Sequence, residues 1–270
     1  MRKISILGCG WLGLPLAQSL LEKGISVKGS TTSIEKISIL KEKGILPFQI
    51  SLLEDNIEGH VNLFLEKSEI LIIDIPPKLR GNTKENFVGK IKTLVPFIEK
   101  SSVKKVIFVS STSVYSDDNS TVTEDTFPKP DSESGKQLLE AEYLLQNNSN
   151  FKTTVLRFGG LIGKDRHPIH FLAGRKNIEN PDAPINMIHQ DDCIAIIEKI
   201  IELDSWNETF NAVAPYHPTR KEYYTKKALE FGLPLPEFEE NKPSVGKLIL
   251  SNKVASLLEY TFKTPYNEFQ

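Results

Sequence analysis

The chain has 270 residues, with 33 lysines and arginines against 35 aspartates and glutamates, and a formal charge of -2; nothing in that balance points to nucleic acid or an anionic membrane as partner. Hydrophobic residues make up 39% and charged residues 25%, ordinary for a soluble globular enzyme, and the length suits one nucleotide-binding body with a smaller lobe. Cys9 and Cys193 are the only cysteines, too few for a disulfide framework and without the spacing of a metal site, so no metal is expected and a cytoplasmic setting fits best.

The opening "MRKISILGCGWLGLPLAQSLL" imitates a signal peptide, with basic residues ahead of an apolar run. Its early glycines break that run, and a strand followed by a helix accounts for the residues better. No other segment reaches the ~18 apolar residues of a membrane span. From there short apolar runs alternate with amphipathic stretches, as in βαβ units around a parallel sheet. "KISILGC" is the first strand, "LGLPLAQSLLEKG" a helix stopped by Gly24, and "ISVKGST" the second strand. A helix around "SIEKISILKEKG", a short strand "LPFQIS", a turn or helix, and a fourth strand "EILIIDIP" follow. "NFVGKIKTLVPFIEKSS" is a helix leading to the fifth strand "KKVIFVSS"; the helix "SESGKQLLEAEYLLQNN" leads to the sixth, "KTTVLRFGG". The expected fold is α/β, a Rossmann doubly wound parallel sheet over residues 1–163.

After Gly163 the chain turns to loops rich in Pro, His and Arg around a helix "QDDCIAIIEKIIEL", a strand "ETFNAVAP", a helix "RKEYYTKKALEFG" and a closing "SNKVASLLEYTF". Such pieces cannot extend a parallel sheet far. Residues 164–270 are therefore expected to form mainly a substrate-binding lobe over the sheet's carboxyl edge, with segments returning to the body.

"GCGWLG" sets Gly8, Gly10 and Gly13 between the first strand and its helix, with Trp11 and Leu12 inside the turn. Glycine suits the tight turn at 8, the approach of a pyrophosphate at 10 and close strand-helix packing at 13, while the helix amino terminus attracts phosphate. An NAD-selective site usually carries an acidic residue about 20 positions on. Here "VKGSTTS" offers none, and Lys28, Ser30, Thr31 and Thr32 could receive a 2′-phosphate instead. NADP is thus favoured, with NAD the other cofactor the site could take; a polar turn capping the next helix is the competing account. Ile75 and Pro76 in "IDIPP" would lay an apolar wall beside the adenine, or simply end the strand.

Taken together, "GCGWLG", "VIFVSSTSVYSD", "SGKQLLEAE", "VLRFGGLIGKDRHP" and "NMIHQDD" resemble, in content and order, the extended short-chain dehydrogenase/reductases. The likeness is to the NAD(P)-dependent epimerase/dehydratase branch, which acts on nucleotide-linked sugars, and especially to its compact atypical members. The tail from "FNAVAP" to "LLEYTFKTP" resembles the family's substrate lobe. The resemblance implies a small-molecule, nucleotide-sugar-like substrate and makes a homodimer common. It implies that Ser111 binds the reacting oxygen, that Lys136 holds the nicotinamide ribose, and that Ser110 and the backbone at Phe158 line the cofactor. The family's catalytic tyrosine should fall four residues before Lys136. That position is Ser132.

A phenol with a pKa near 10 can be drawn toward neutrality by an adjacent ammonium and so act as a base, whereas an aliphatic hydroxyl is a far weaker acid. Three rescues stay open. Tyr115 could reach the substrate from the "SSTSVY" loop, His167 or His189 could act as base, or Ser132 could hold a water beside Lys136. Thr112, Arg166, His167, Arg175 and His189 are the candidate substrate contacts, arginines suiting a diphosphate. Asp192 or its neighbour reads as a helix cap, Arg157 as a buried ion partner, and Trp206, Trp11 and the "EYY" pair as core or lobe packing. Two functions fit: an NAD(P)-dependent oxidoreductase, epimerase or dehydratase, or a non-catalytic NADP(H)-binding sensor.

Overall fold

The computed structural model describes residues 2–77, 79 and 85–263. Seven strands build its central sheet: β1 (Lys3–Leu7), β2 (Ser26–Thr31), β3 (Leu46–Gln49), β4 (Ile70–Ile73), β5 (Lys105–Ser111), β6 (Lys152–Phe158) and β7 (Thr209–Ala212). They lie in the order β7-β6-β5-β4-β1-β2-β3, every neighbouring pair parallel. The period of two in a strand decides which residues enter which core. Ile4, Ile6, Ile72 and Ile107 point to one face, while Leu7, Leu71, Ile73, Val106 and Phe108 point to the other. All four residues of β4 are buried, as a strand covered on both faces requires.

Helices cover the two faces. α1 (Gly13–Glu22) supplies Leu16, Ala17 and Leu20 to the first face, while α4 (Phe87–Glu99) and α5 (Glu133–Gln146) supply Ile91, Leu94, Leu138 and Leu145 to the second. α2 (Glu35–Glu42) links β2 to β3. The stretch read as a turn or helix contains both: a hairpin, Ser51–Leu52 against Ile57–Glu58, then the short α3 (Val61–Leu65). The chain order reverses between β1 and β4, and the crevice beyond their carboxyl ends is where open α/β sheets bind ligands.

Segments of the later chain return to the body. β7 extends the sheet by one strand at its edge, and α7 (Gln190–Glu202) and α9 (Asn252–Leu258) bury Cys193, Ile196, Ile197, Ile200, Val254 and Leu258 in the first core. β7, "TFNA", buries three of its four residues against the sheet and follows the 13-residue α7. Between these returns, α6 (Ile169–Leu172) and α8 (Arg220–Glu230) form a third core with Ile162, Ile185, Met187, Tyr223 and Tyr224. Two short parallel strands, Gly160–Ile162 and Met187–His189, lead into and out of it. Among the described residues no helix is long and apolar enough to cross a membrane, and no cluster of three or more His, Cys, Asp or Glu could hold a metal ion.

Candidate functional site

The three glycines after β1 are needed for different reasons. Gly8 has φ +108°, and a Cβ there would lie 2.2 Å from the Asp74 carbonyl oxygen. A Cβ on Gly13 would lie 2.2 Å from the Gly8 carbonyl oxygen, so α1 could not close onto its strand. Gly10 is exposed, and a Cβ there would meet nothing within 4 Å. The protein's own packing thus accounts for the glycines at 8 and 13, while a Cβ at 10 would meet no protein atom. The turn is pinned by Gly10 N–H donating to Gly8 O at 2.8 Å and Gly8 N–H donating to Ser30 Oγ at 3.0 Å. Leu12 buries its side chain and, as the residue preceding α1, offers no side-chain cap. Leu14 N–H donates to Gly10 O at 3.2 Å, while the Trp11 and Leu12 amides just ahead of α1 have no acceptor among the described residues and could meet a phosphate oxygen. These residues fit a dinucleotide.

The hydroxyl-rich turn after β2 is partly spent. Ser30 is buried on the Gly8 amide, and Thr31 Oγ1 accepts from Ser33 N–H at 3.1 Å. Lys28 is turned away, donating to the Leu63 and Glu66 carbonyls at 2.6 Å each, and burial lowers its pKa. Of the four residues expected to meet a 2′-phosphate, Thr32 alone stays exposed. Lys36, unremarked in the sequence, is exposed in the first turns of α2, and its charge reaches Cys9 in the glycine turn. Ile75 is half-buried and Pro76 exposed at the end of β4.

Trp11 ties the glycine turn to the later chain. Its Nε1 donates to Asp165 Oδ1 at 2.9 Å, the Arg166 guanidinium lies 4.9 Å from its ring centroid, and its carbonyl accepts from Gln190 Nε2 at 2.6 Å. Gly163 permits this, because a Cβ there would come within 2.8 Å of the indole. Arg166, expected on the substrate side, thus stands beside the phosphate turn, held by a cation-π contact.

At the end of β5, Ser111 Oγ accepts from Ser113 N–H at 3.2 Å and starts a short 3-10 turn, Thr112–Val114. α5 presses against that turn, since a Cβ on Gly135 would lie 2.2 Å from the Ser113 carbonyl oxygen. The structure therefore brings Ser111 and the start of α5 to one edge. Ser132 caps α5, its Oγ accepting from Gly135 N–H at 3.1 Å. Lys136 is exposed, and its ammonium has no hydrogen-bond or ion-pair partner recorded among the described residues.

Several expected site residues are committed elsewhere. Tyr115 is 2% exposed, its hydroxyl receiving from Arg157 Nη1 at 2.6 Å and donating to Asn211 Oδ1 at 3.0 Å. Burial pushes its pKa up, with Arg157 opposing. It packs within this network. Ser110 Oγ donates to Glu142, Thr112 is buried, and the Phe158 side chain is in the core, leaving only its backbone for a cofactor. His167 Nδ1 accepts from Ile169 N–H at 3.1 Å, so Nε2 carries the proton toward Tyr223 Oη at 2.8 Å. Burial first, then the Lys227 charge, pulls its pKa down to about 4. Both nitrogens are thus occupied in a neutral ring, which makes it a poor proton acceptor. His189 Nδ1 accepts from Asp191 N–H at 3.2 Å and caps α7. The cap is therefore His189 and not Asp192, which is wholly buried and accepts from Tyr260 Oη and Lys263 N–H. Arg175 lines a cleft with Lys176, Asn180 and Arg220, in the third core's outer wall.

No family model matches the chain. Protein YeeZ of Escherichia coli strain K12 is 32% identical over 267 residues, which cover 98% of this chain and 97% of that protein. The UDP-glucuronic acid 4-epimerase of Bacillus cereus, solved with NAD, is 19% identical at a TM-score of 0.82, covering 99% of this chain and 94% of the other. A short-chain dehydrogenase/reductase superfamily protein of Agrobacterium tumefaciens with bound NAD is 17% identical at a TM-score of 0.81, covering 99% and 94%. The chain belongs to the family of Protein YeeZ, built on the Rossmann fold of the NAD-dependent epimerases and short-chain dehydrogenase/reductases.

Proposed function

We propose that the protein binds a nicotinamide dinucleotide, NADP(H) in preference to NAD(H), across the carboxyl end of β1 and β4, and presents it to a polyhydroxylated or nucleotide-linked substrate as an oxidoreductase or epimerase. The observation that carries this is Gly10: an exposed glycine at the head of α1, with open space where its Cβ would be. The solved structures of the same fold that hold NAD support it, and one of them is an epimerase of UDP-glucuronic acid. Bound here, the cofactor would supply hydride transfer. The chain's own part is to hold the pyrophosphate on the amides of Trp11 and Leu12, to place Ser111 beside the reacting oxygen, and to hold the ribose with Lys136.

A second reading, a dinucleotide-binding sensor without turnover, is favoured by one observation: Ser132 is a helix cap, and the Tyr115 phenol is buried in an ion network. The two readings separate on one preparation. NADPH is titrated calorimetrically, and the protein is then assayed for hydride exchange against a panel of nucleotide sugars. Turnover that dies in Lys136→Ala establishes the enzyme; tight binding with no exchange establishes the sensor. Failure to bind either dinucleotide removes both.

Cofactor preference has its own test. Lys36→Ala is expected to weaken NADPH binding roughly tenfold, about 1.4 kcal/mol, as loss of one charge-assisted phosphate contact should. NADH binding should not change. Equal losses for the two cofactors would show that Lys36 does not meet the 2′-phosphate.

A further inference from the structure

Asp74, the residue that follows β4, has a use that the binding reading above does not assign. β4 lies next to β1, and Asp74 N–H donates to Leu7 O at 2.9 Å, which fixes its backbone directly beside the glycine turn. The same pairing presses its carbonyl against Gly8. Its carboxyl then reaches the head of α1: Oδ2 would stand 3.0 Å from a Cβ on Gly13. A carboxyl group of the protein thus stands at a helix end whose neighbouring amides are those offered to phosphate.

Two anions at one helix end repel, and a site that must hold both favours protonation of one. The diphosphate of a dinucleotide stays ionised near neutrality, so the carboxyl is the group that yields. We propose that Asp74 is the proton-linked gate of the dinucleotide site: it must be a neutral acid when the pyrophosphate is bound, so that binding takes up a proton wherever the free protein has lost it. This rests on the dinucleotide reading. Burial already pushes the Asp74 pKa up to about 8 before any ligand arrives, opposed only by the Gly13 amide.

The surrounding charges set the window. From the turn, Cys9 faces Asp74 with its thiol pushed up to about 12; from α7, the buried Cys193 thiol is raised well above its ordinary value, beside Asp191 and Asp192. Neither thiol ionises near pH 8. Lys36 of α2 acts on Cys9 from the solvent side, and Asp165 and Arg166 meet the Trp11 indole. A 2′-phosphate completes its second ionisation near pH 6, below the window. The sign follows directly. Below about pH 8 the free protein already holds the proton and binding is independent of pH; above it, binding must bring the proton in, and the dissociation constant rises by about tenfold per pH unit.

The test is calorimetric titration of the whole protein with NADPH, and separately with NADH, from pH 7 to 9.5 in buffers of different ionisation enthalpy. The expected result is close to no proton uptake at pH 7, rising toward one proton per site at pH 9, for both cofactors. Asp74→Asn, which keeps the shape of the side chain but cannot ionise, should flatten the pH dependence and abolish the uptake. Binding by the wild type without proton uptake at pH 9 overturns the gate and leaves the dinucleotide reading intact. Uptake that persists in a folded Asp74→Asn protein assigns the proton elsewhere and also overturns it. No binding of either cofactor at any pH overturns the dinucleotide reading and the gate together.

Discussion

Gly10→Ala is expected to fold as well as the native chain and to lose its dinucleotide. The added methyl group meets no protein atom within 4 Å, and Gly10 does not have the positive φ that marks Gly8. Removing a glycine at a compatible position stabilises by about 0.4–1 kcal/mol, through the unfolded chain. The melting temperature should therefore stay level or rise slightly. The same methyl group would stand where a pyrophosphate oxygen must approach the backbone, so NADPH affinity should fall at least about 100-fold, roughly 2.7 kcal/mol. Gly8→Ala and Gly13→Ala should behave in the opposite order, losing the fold first. Each new Cβ would come within 2.2 Å of a backbone carbonyl oxygen that cannot move without shifting a strand of the sheet. Thermal denaturation and calorimetric titration of the three variants check this. Gly10→Ala that binds NADPH like the native chain would empty the turn of its proposed ligand.

That contrast also marks how far the sequence could be read. The glycine spacing was legible because the three positions answer to the backbone, and so was the doubly wound sheet, because the period of two in "ILII" and "KVIFV" sorts side chains between its faces. Edge strand β7 was recognised as a strand, but its place in the sheet depends on pairing with β6, which adjacent residues do not encode. The site was less legible where a side chain has two possible employers. Ser30, Thr31 and Lys28 have the right chemistry for a phosphate, yet the fold uses them on the Gly8 amide, the Ser33 amide and two carbonyls. Asp74 is not legible in the sequence, because its place beside the glycine turn depends on β4 lying next to β1; a carboxylate ending the strand at the switch point is the available signal. Lys36 was hidden in an amphipathic helix, where a lysine ordinarily means solvent.

The second large effect lies beneath the Ser111 edge. Arg157 of β6 and Glu142 of α5 form a two-pronged ion pair, with Nη2 to Oε2 at 2.6 Å and side chains 6% and 0% exposed. Arg157 also donates to Tyr115 Oη; Ser110 donates to Glu142, and Tyr115 to Asn211 of β7. One charge pair therefore fastens β5, β6, β7 and α5 to each other. Arg157→Ala would leave Glu142 charged, buried and unpaired, a loss of about 3–5 kcal/mol. At about 2–4 °C per kcal/mol for a chain of this size, the melting temperature should fall by roughly 6–20 °C. Arg157→Met with Glu142→Leu should recover most of the loss, because the desolvation cost of the two charges disappears with them. Tyr115→Phe provides the functional control. It should cost only about 1 kcal/mol, since the ion pair survives and only the hydroxyl's partners are left short. It should leave the NADPH affinity unchanged. A Tyr115→Phe protein that keeps its cofactor but loses hydride exchange would mean that the phenol leaves this network to carry the proton, and the buried position would then describe only a resting state.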